Sequence, residues 1–134
     1  IVCLRVSARV MSPCVFCEIP EKSWVHSTEH LFVIRDRHPV TPGHLLIIPK
    51  LHRRDLFDLS DQEFFELPKL LQHLKSIVSK EDSTVSGFNV GANSGEAAGQ
   101  TVFHCHIHFI PRRTKDVKNP RGGVRGVIPS KQNY

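Results

Sequence analysis

The sequence predicts an α+β domain with an antiparallel sheet, and three observations carry that prediction. Short apolar runs, each closed by turn residues, gather around one long helical stretch instead of alternating with several helices. The chain has 134 residues, enough for one compact domain with a real core and no obligatory metal or disulfide staple. It contains no internal repeat and no low-complexity tract.

Each element follows from its local pattern. Leu31, Phe32, Val33 and Ile34 read as a strand, with a short one before it at Trp24 and Val25. Residues 39–43 hold two prolines and a glycine and read as a turn, and residues 44–49 as a second apolar strand. Ser60 with Glu63 three residues on is a capping box. Phe64, Leu67, Leu71, Leu74 and Val78 then recur at helical spacing. Pro68 lacks a backbone donor, so a kink, or a helix starting nearer Pro68, is expected. Phe88 to Val90 reads as a strand, residues 91–99 as a glycine-containing loop, and residues 102–110 as the last strand.

Composition narrows the function classes. Hydrophobic residues make up 40% and charged residues 23% of the chain, which excludes a disordered protein. Unbroken apolar stretches such as residues 45–48 fall far short of the roughly 20 residues a bilayer span needs. The net charge is +5. Seven basic residues and a single acid, Asp116, follow Ile110, so that segment carries +6 and everything before it sums to −1. A cationic tail attracts phosphate groups or simply keeps a terminus solvated. The four cysteines, Cys3, Cys14, Cys17 and Cys105, are too few and too irregular for a secreted disulfide scaffold, so a cytoplasmic location is expected. Arg5 and Arg9 interrupt the apolar first residues, which argues against a targeting signal. Met11, just before Ser12, is the expected start. The reading is an N-terminal extension over residues 1–11, one domain over 12–113 and a basic tail over 114–134.

The most informative segment is the last strand. Strand side chains alternate faces, so His104, His106 and His108 are expected to point one way, with Cys105, Ile107 and Phe109 facing the core. Lysine or threonine would serve a wet face equally well, so three histidines there point to chemistry. One reading is a metal site with several imidazole ligands. The other is nucleophilic catalysis by an imidazole whose ordinary pKa near 6.5 leaves it neutral and able to attack at physiological pH. Spacing alone leaves both open.

His104-Cys105-His106-Ile107-His108-Phe109-Ile110 resembles the His-φ-His-φ-His-φ-φ signature of the histidine triad (HIT) superfamily. Its approach, residues 95–102 with Gly99, Gln100 and Thr101, is similar to that of bacterial HIT hydrolases and the Fhit branch, as is the block from Asp36 to Lys50. The resemblance spans about residues 12–113. It implies a HIT-like fold: an antiparallel sheet of about five strands with one long helix and a shorter one.

The resemblance also implies a nucleotide hydrolase. His106 would attack the α-phosphorus to form a nucleotidyl-histidine that water cleaves, while the His104 carbonyl fixes its tautomer. His108 would contact phosphate oxygens. Gln100 and Thr101 would sit near the bridging oxygen, Asn93 near phosphate or ribose, and Asp36 at the ribose hydroxyls. The favoured substrate class is a dinucleoside polyphosphate with AMP as product, because the cationic tail suits extra negative charge. A Hint-like adenosine phosphoramidase is the alternative, and a zinc-braced nucleotide- or nucleic-acid-binding module the least favoured one.

Cys14 and Cys17 form a C-x-x-C pair with zinc-ligand spacing, and no βαβ pattern surrounds them to support a redox motif. By resemblance, His52 and His104 would complete a structural zinc site without an open position. His26, His30, His38, His44 and His73 are assigned to no site. The resemblance further implies a homodimer; no organic cofactor and no membrane are expected, and a nucleic-acid partner is disfavoured.

Overall fold

The computed structural model describes residues 14–134. The expected extension, the start at Met11 and Cys3 lie outside the described residues. Five strands make one antiparallel sheet: β1 (His26–Ser27), β2 (Leu31–Arg35), β3 (Leu45–Pro49), β4 (Val85–Gly91) and β5 (Ile107–Arg113), in the order β1-β2-β3-β5-β4. One helix, α1 (Asp61–Glu81), connects β3 to β4, and the shorter helical pieces are 3-10 turns such as Leu56–Asp58 and Glu96–Ala98.

The α1 cap forms as expected. The Ser60 side chain accepts from Glu63 N–H and the Glu63 carboxylate accepts from Ser60 N–H. The helix therefore starts at Asp61 and runs on through Pro68, so the later start is corrected. The buried stripe is also offset from the expected one. Phe64 is 40% exposed, while Glu63, Leu70, Leu74 and Val78 are buried with Leu67 and Leu71 packed beside them. Glu63 tolerates burial because Arg53 Nε donates to both its carboxylate oxygens, at 3.0 and 3.2 Å.

Alternation along the strands splits the interior into two clusters. Leu31, Val33, Leu45, Ile47, Ile107 and Phe109 face α1. Phe32, Ile34, Leu46 and Ile48 face the other way, against Phe16, Ile19 and Trp24. Trp24 stacks on Phe32, with centroids 4.6 Å apart, and the short strand before β2 lies at His26 and Ser27 instead of Trp24 and Val25.

The last strand is the main correction. It begins at Ile107, not Val102, and runs to Arg113. Upstream, Cys105 N–H donates to the Arg53 carbonyl at 2.6 Å and the His104 carbonyl is taken by a side chain, so neither group is left to join a ladder. β3 pairs with β5 only from Ile47↔Ile107 to Leu45↔Phe109. Beyond Phe109 no strand pairs on the β3 side of β5, which is where a strand accommodates Pro111; its carbonyl accepts instead from Thr41 Oγ1 at 2.6 Å.

Candidate active site

The segregation of faces survives the shortened strand. Cys105, Ile107 and Phe109 are buried in the α1-side cluster, and burial pushes the Cys105 thiol up to about 12, which makes it inert. The three histidines lie on the opposite side, in three different environments.

His106 is half-buried. Its Nδ1–H donates to the His104 carbonyl at 2.9 Å. That bond places the proton on Nδ1 and leaves the Nε2 lone pair free. The ring stands edge-on to Phe16 at 4.9 Å and to His108 at 5.4 Å between centroids. His104 is fully buried, its Nε2–H donating to the Pro49 carbonyl at 2.9 Å, and burial holds it neutral with a pKa lowered to about 4.

His108 belongs to a relay that the sequence reading missed. Val40 N–H donates to His44 Nδ1 at 3.0 Å, so the His44 proton must sit on Nε2. His44 Nε2 lies 2.9 Å from His108 Nδ1 and 3.4 Å from Asp36 Oδ2. Burial lowers the pKa of both His44 and His108, favouring neutral rings. Nδ1 of His108 then accepts, and its own proton is carried on Nε2 as a donor. Asp36, His44 and His108 have the composition of a metal triad. The Val40 bond keeps His44 Nε2 protonated, so these atoms act as hydrogen-bonding groups. The missed signal was parity: His44, two residues before Leu46, shares the face of Leu46, which pairs with His108.

The cysteine pair meets its expected partners. Cys14 Sγ lies 3.3 Å from His104 Nδ1, and Cys17 Sγ lies 3.3 Å from His52 Nδ1 and 3.5 Å from His104 Nδ1. All four donor atoms fall within 4.8 Å of one another. Tetrahedral zinc, with bonds of roughly 2.3 Å to sulfur and 2.0–2.1 Å to nitrogen, sets sulfur and nitrogen about 3.5 Å apart. The Pro49 bond to Nε2 leaves His104 Nδ1 unprotonated, as a ligand requires. The donor set therefore fits zinc. Ligation calls for both cysteines as thiolates.

The remaining expected residues divide. Asp36 Oδ1 accepts from His38 N–H at 2.8 Å, which aims the other oxygen at His44. Gln100 is buried and its amide braces the loop: Nε2 donates to the carbonyls of Arg54 and Val102, and Oε1 accepts from Gly95 N–H. Asn93 and Thr101 are exposed. The pair of buried Glu63 with part-exposed Arg53 is a second feature missed from sequence; it ties α1 to the loop carrying His52, and the Arg53 carbonyl also holds Cys105 N–H. A cavity of about 310 Å³ opens on the other face of the sheet, beside Arg35, Leu74, Val78 and Arg113. None of the triad lines it.

The HIT domain family matches residues 18–115. Protein hit of Bacillus subtilis is 36% identical over 111 residues, 76% of this chain and 72% of that protein. Adenylylsulfatase HINT3 of Arabidopsis thaliana is 33% identical over 114 residues, 82% of this chain and 57% of that protein. Among solved structures, a Zn-bound histidine triad family protein from Mycobacterium smegmatis superposes with TM-score 0.69 at 34% identity, covering 79% of each chain. The diadenosine triphosphate hydrolase of Plasmodium falciparum gives TM-score 0.68 at 28% identity, over 75% of this chain and 68% of that one.

Proposed function

The chain belongs to the HIT family, and from that premise we propose that it hydrolyses a dinucleoside polyphosphate at the α-phosphorus through a nucleotide bonded to His106. The observation that carries this reading is the His106–His104 hydrogen bond. A donor fixed on Nδ1 leaves Nε2 as a nucleophile with one orientation.

In the first step the Nε2 lone pair bonds to the α-phosphorus and the phosphorus–oxygen bond to the leaving arm breaks. An oligophosphate takes that electron pair as an oxyanion and needs no proton. The imidazolium charge on His106 is shared with the His104 carbonyl. His108 donates from Nε2 to a non-bridging oxygen, where charge builds, and is kept in that tautomer by His44. In the second step water bonds to phosphorus, the phosphorus–nitrogen bond breaks and the pair returns to Nε2. The water proton passes to solvent, and AMP leaves. Asp36 holds the ribose hydroxyls. The exposed Asn93 and Thr101 lie free for substrate, whereas Gln100 acts through the loop it braces.

Cys14, Cys17, His52 and His104 hold zinc in this proposal, and the metal supplies a rigid corner under the triad without an open position for chemistry. A homodimer through α1 and the edge strand β4 is proposed as well; Phe65 on α1 is 84% exposed.

His106→Ala is the test. Turnover of diadenosine triphosphate falls by about 10⁴-fold or more, while AMP still binds in calorimetry. Wild-type turnover in that variant overturns the assignment. The likeness to an adenylylsulfatase favours a second reading, a smaller leaving group on the same nucleotide. Specific activities on adenosine phosphoramidate and diadenosine triphosphate separate the two.

A further inference from the structure

The basic tail is not a loose end. Gly122 has φ +89°, and a side-chain carbon there would meet the Gln132 carbonyl oxygen at 1.9 Å, so only glycine fits. Gln132 Nε2 donates to the carbonyls of Asn119 and Arg121, and Asn119 Nδ2 donates to Asn133 Oδ1. Residues 119–134 thus close into a small knot. The guanidinium carbons of Arg121 and Arg125 sit 5.2 and 5.0 Å from the centre of the Tyr134 ring.

Register shows which side of the sheet the knot occupies. Asn89 on β4 is directly opposite Ile110, so the two share a face, and Ile110 shares its face with His108, about 7 Å along the strand. A side-chain carbon at Gly123 would stand 3.5 Å from Asn89 Nδ2, so the knot packs against the triad face. Arg112 anchors this contact by donating to Asn89 Oδ1 at 2.6 Å.

The cations of this region divide into two kinds. Arg112 is neutralised by Asp116 and Arg113 by Asp82. Arg121 and Arg125 have no acidic partner among the described residues, and only the tyrosine face holds them. Two unneutralised guanidiniums, preset by stacking within a knot that packs on the face carrying His108, match a polyanion.

We propose that this knot recognises the leaving group: Arg121 and Arg125 bind the oligophosphate arm that departs when His106 takes the nucleotide. The inference rests on the His106 reading above, and its test separates the two. In Arg121→Gln/Arg125→Gln the ratio of kcat/KM on diadenosine pentaphosphate to that on adenosine phosphoramidate falls about tenfold. The Arg121→Lys/Arg125→Lys variant, which keeps the charge but loses the planar stacked fork, restores only part of the ratio. Independently of turnover, inorganic tripolyphosphate binds the glutamine variant about tenfold more weakly in calorimetry, with a shallower salt dependence than wild type. An unchanged ratio together with unchanged tripolyphosphate binding overturns the proposal even if His106 is the nucleophile. Tripolyphosphate binding involves no reaction, so an unweakened affinity in the glutamine variant overturns this proposal whether or not His106 is the nucleophile. Tighter binding of single-stranded RNA than of tripolyphosphate overturns it in favour of a nucleic-acid grip.

Discussion

The two faces of the central sheet are built from alternate residues of the same strands and behave as different materials. The face under α1 is closed by Leu31, Val33, Ile47, Ile107 and Phe109, all almost fully buried. The opposite face mixes an apolar patch around Phe32 and Ile48 with His44, His106 and His108, each given a direction by a backbone group or another ring. The first face is specified by volume, so its residues act through packing. The second is specified by where protons sit, so its residues act through donors and acceptors. Variants on the two faces should therefore fail in different ways.

On the α1 face, Leu74→Ala is expected to destabilise the fold by about 2–5 kcal/mol, read as a lower denaturant midpoint with the same preference among substrates. At the boundary, Glu63→Ala removes the carboxylate that pairs with the part-exposed Arg53 and accepts from Ser60 N–H, and is expected to cost about 1–2 kcal/mol. It also slackens the loop that holds Cys105 N–H, so turnover falls more than in a core variant of equal stability.

On the triad face, His44→Leu should leave the midpoint closer to wild type and lower kcat by about tenfold to a hundredfold, with KM little changed. His44→Gln keeps a donor toward His108 and recovers part of that loss. Nitrogen NMR of His108 should show the Nε2–H tautomer in wild type and a mixture in the leucine variant. A fixed tautomer in both would remove His44 from the relay.

The smallest effect concerns acid. The side-chain hydrogen bond from Arg113, then that from Thr84, holds Asp82 down to about 2 from its ordinary 3.8. A carboxylate depressed in the folded state stabilises the fold above its unfolded pKa and loses that contribution as pH falls through the folded one. The brace between the end of α1 and β5 should thus weaken between about pH 4 and pH 2. Arg113→Gln should flatten the wild-type stability curve in that window; parallel acid-denaturation curves would show that the pair adds nothing.

How far the sequence could be read follows the same division. β2, β3 and the α1 cap depend on neighbours within a few positions, and all are legible. The common face of His104, His106 and His108 is legible too, because alternation is local. The start of β5 is not, since Cys105 N–H turns to Arg53, distant in the chain. His44 looked like the first residue of an apolar strand, and nothing local announced that β3 would lie beside β5. Phe64 turns outward and Glu63 inward because adjacent residues on a helix differ by about 100°, and the pairing of Glu63 with Arg53, outside the helix, favours the inward carboxylate.

Residue 104 answers to two parts of the molecule through two different groups. Its ring faces the sulfur atoms, and its carbonyl receives the proton of the next histidine but one. Every amino acid brings a carbonyl, whereas only the imidazole brings the ligand atom. Exchanging this side chain would therefore remove one donor of the proposed metal corner while leaving the hydrogen-bond acceptor in the chain, so the proposed support and the proposed reactivity can be uncoupled at one position.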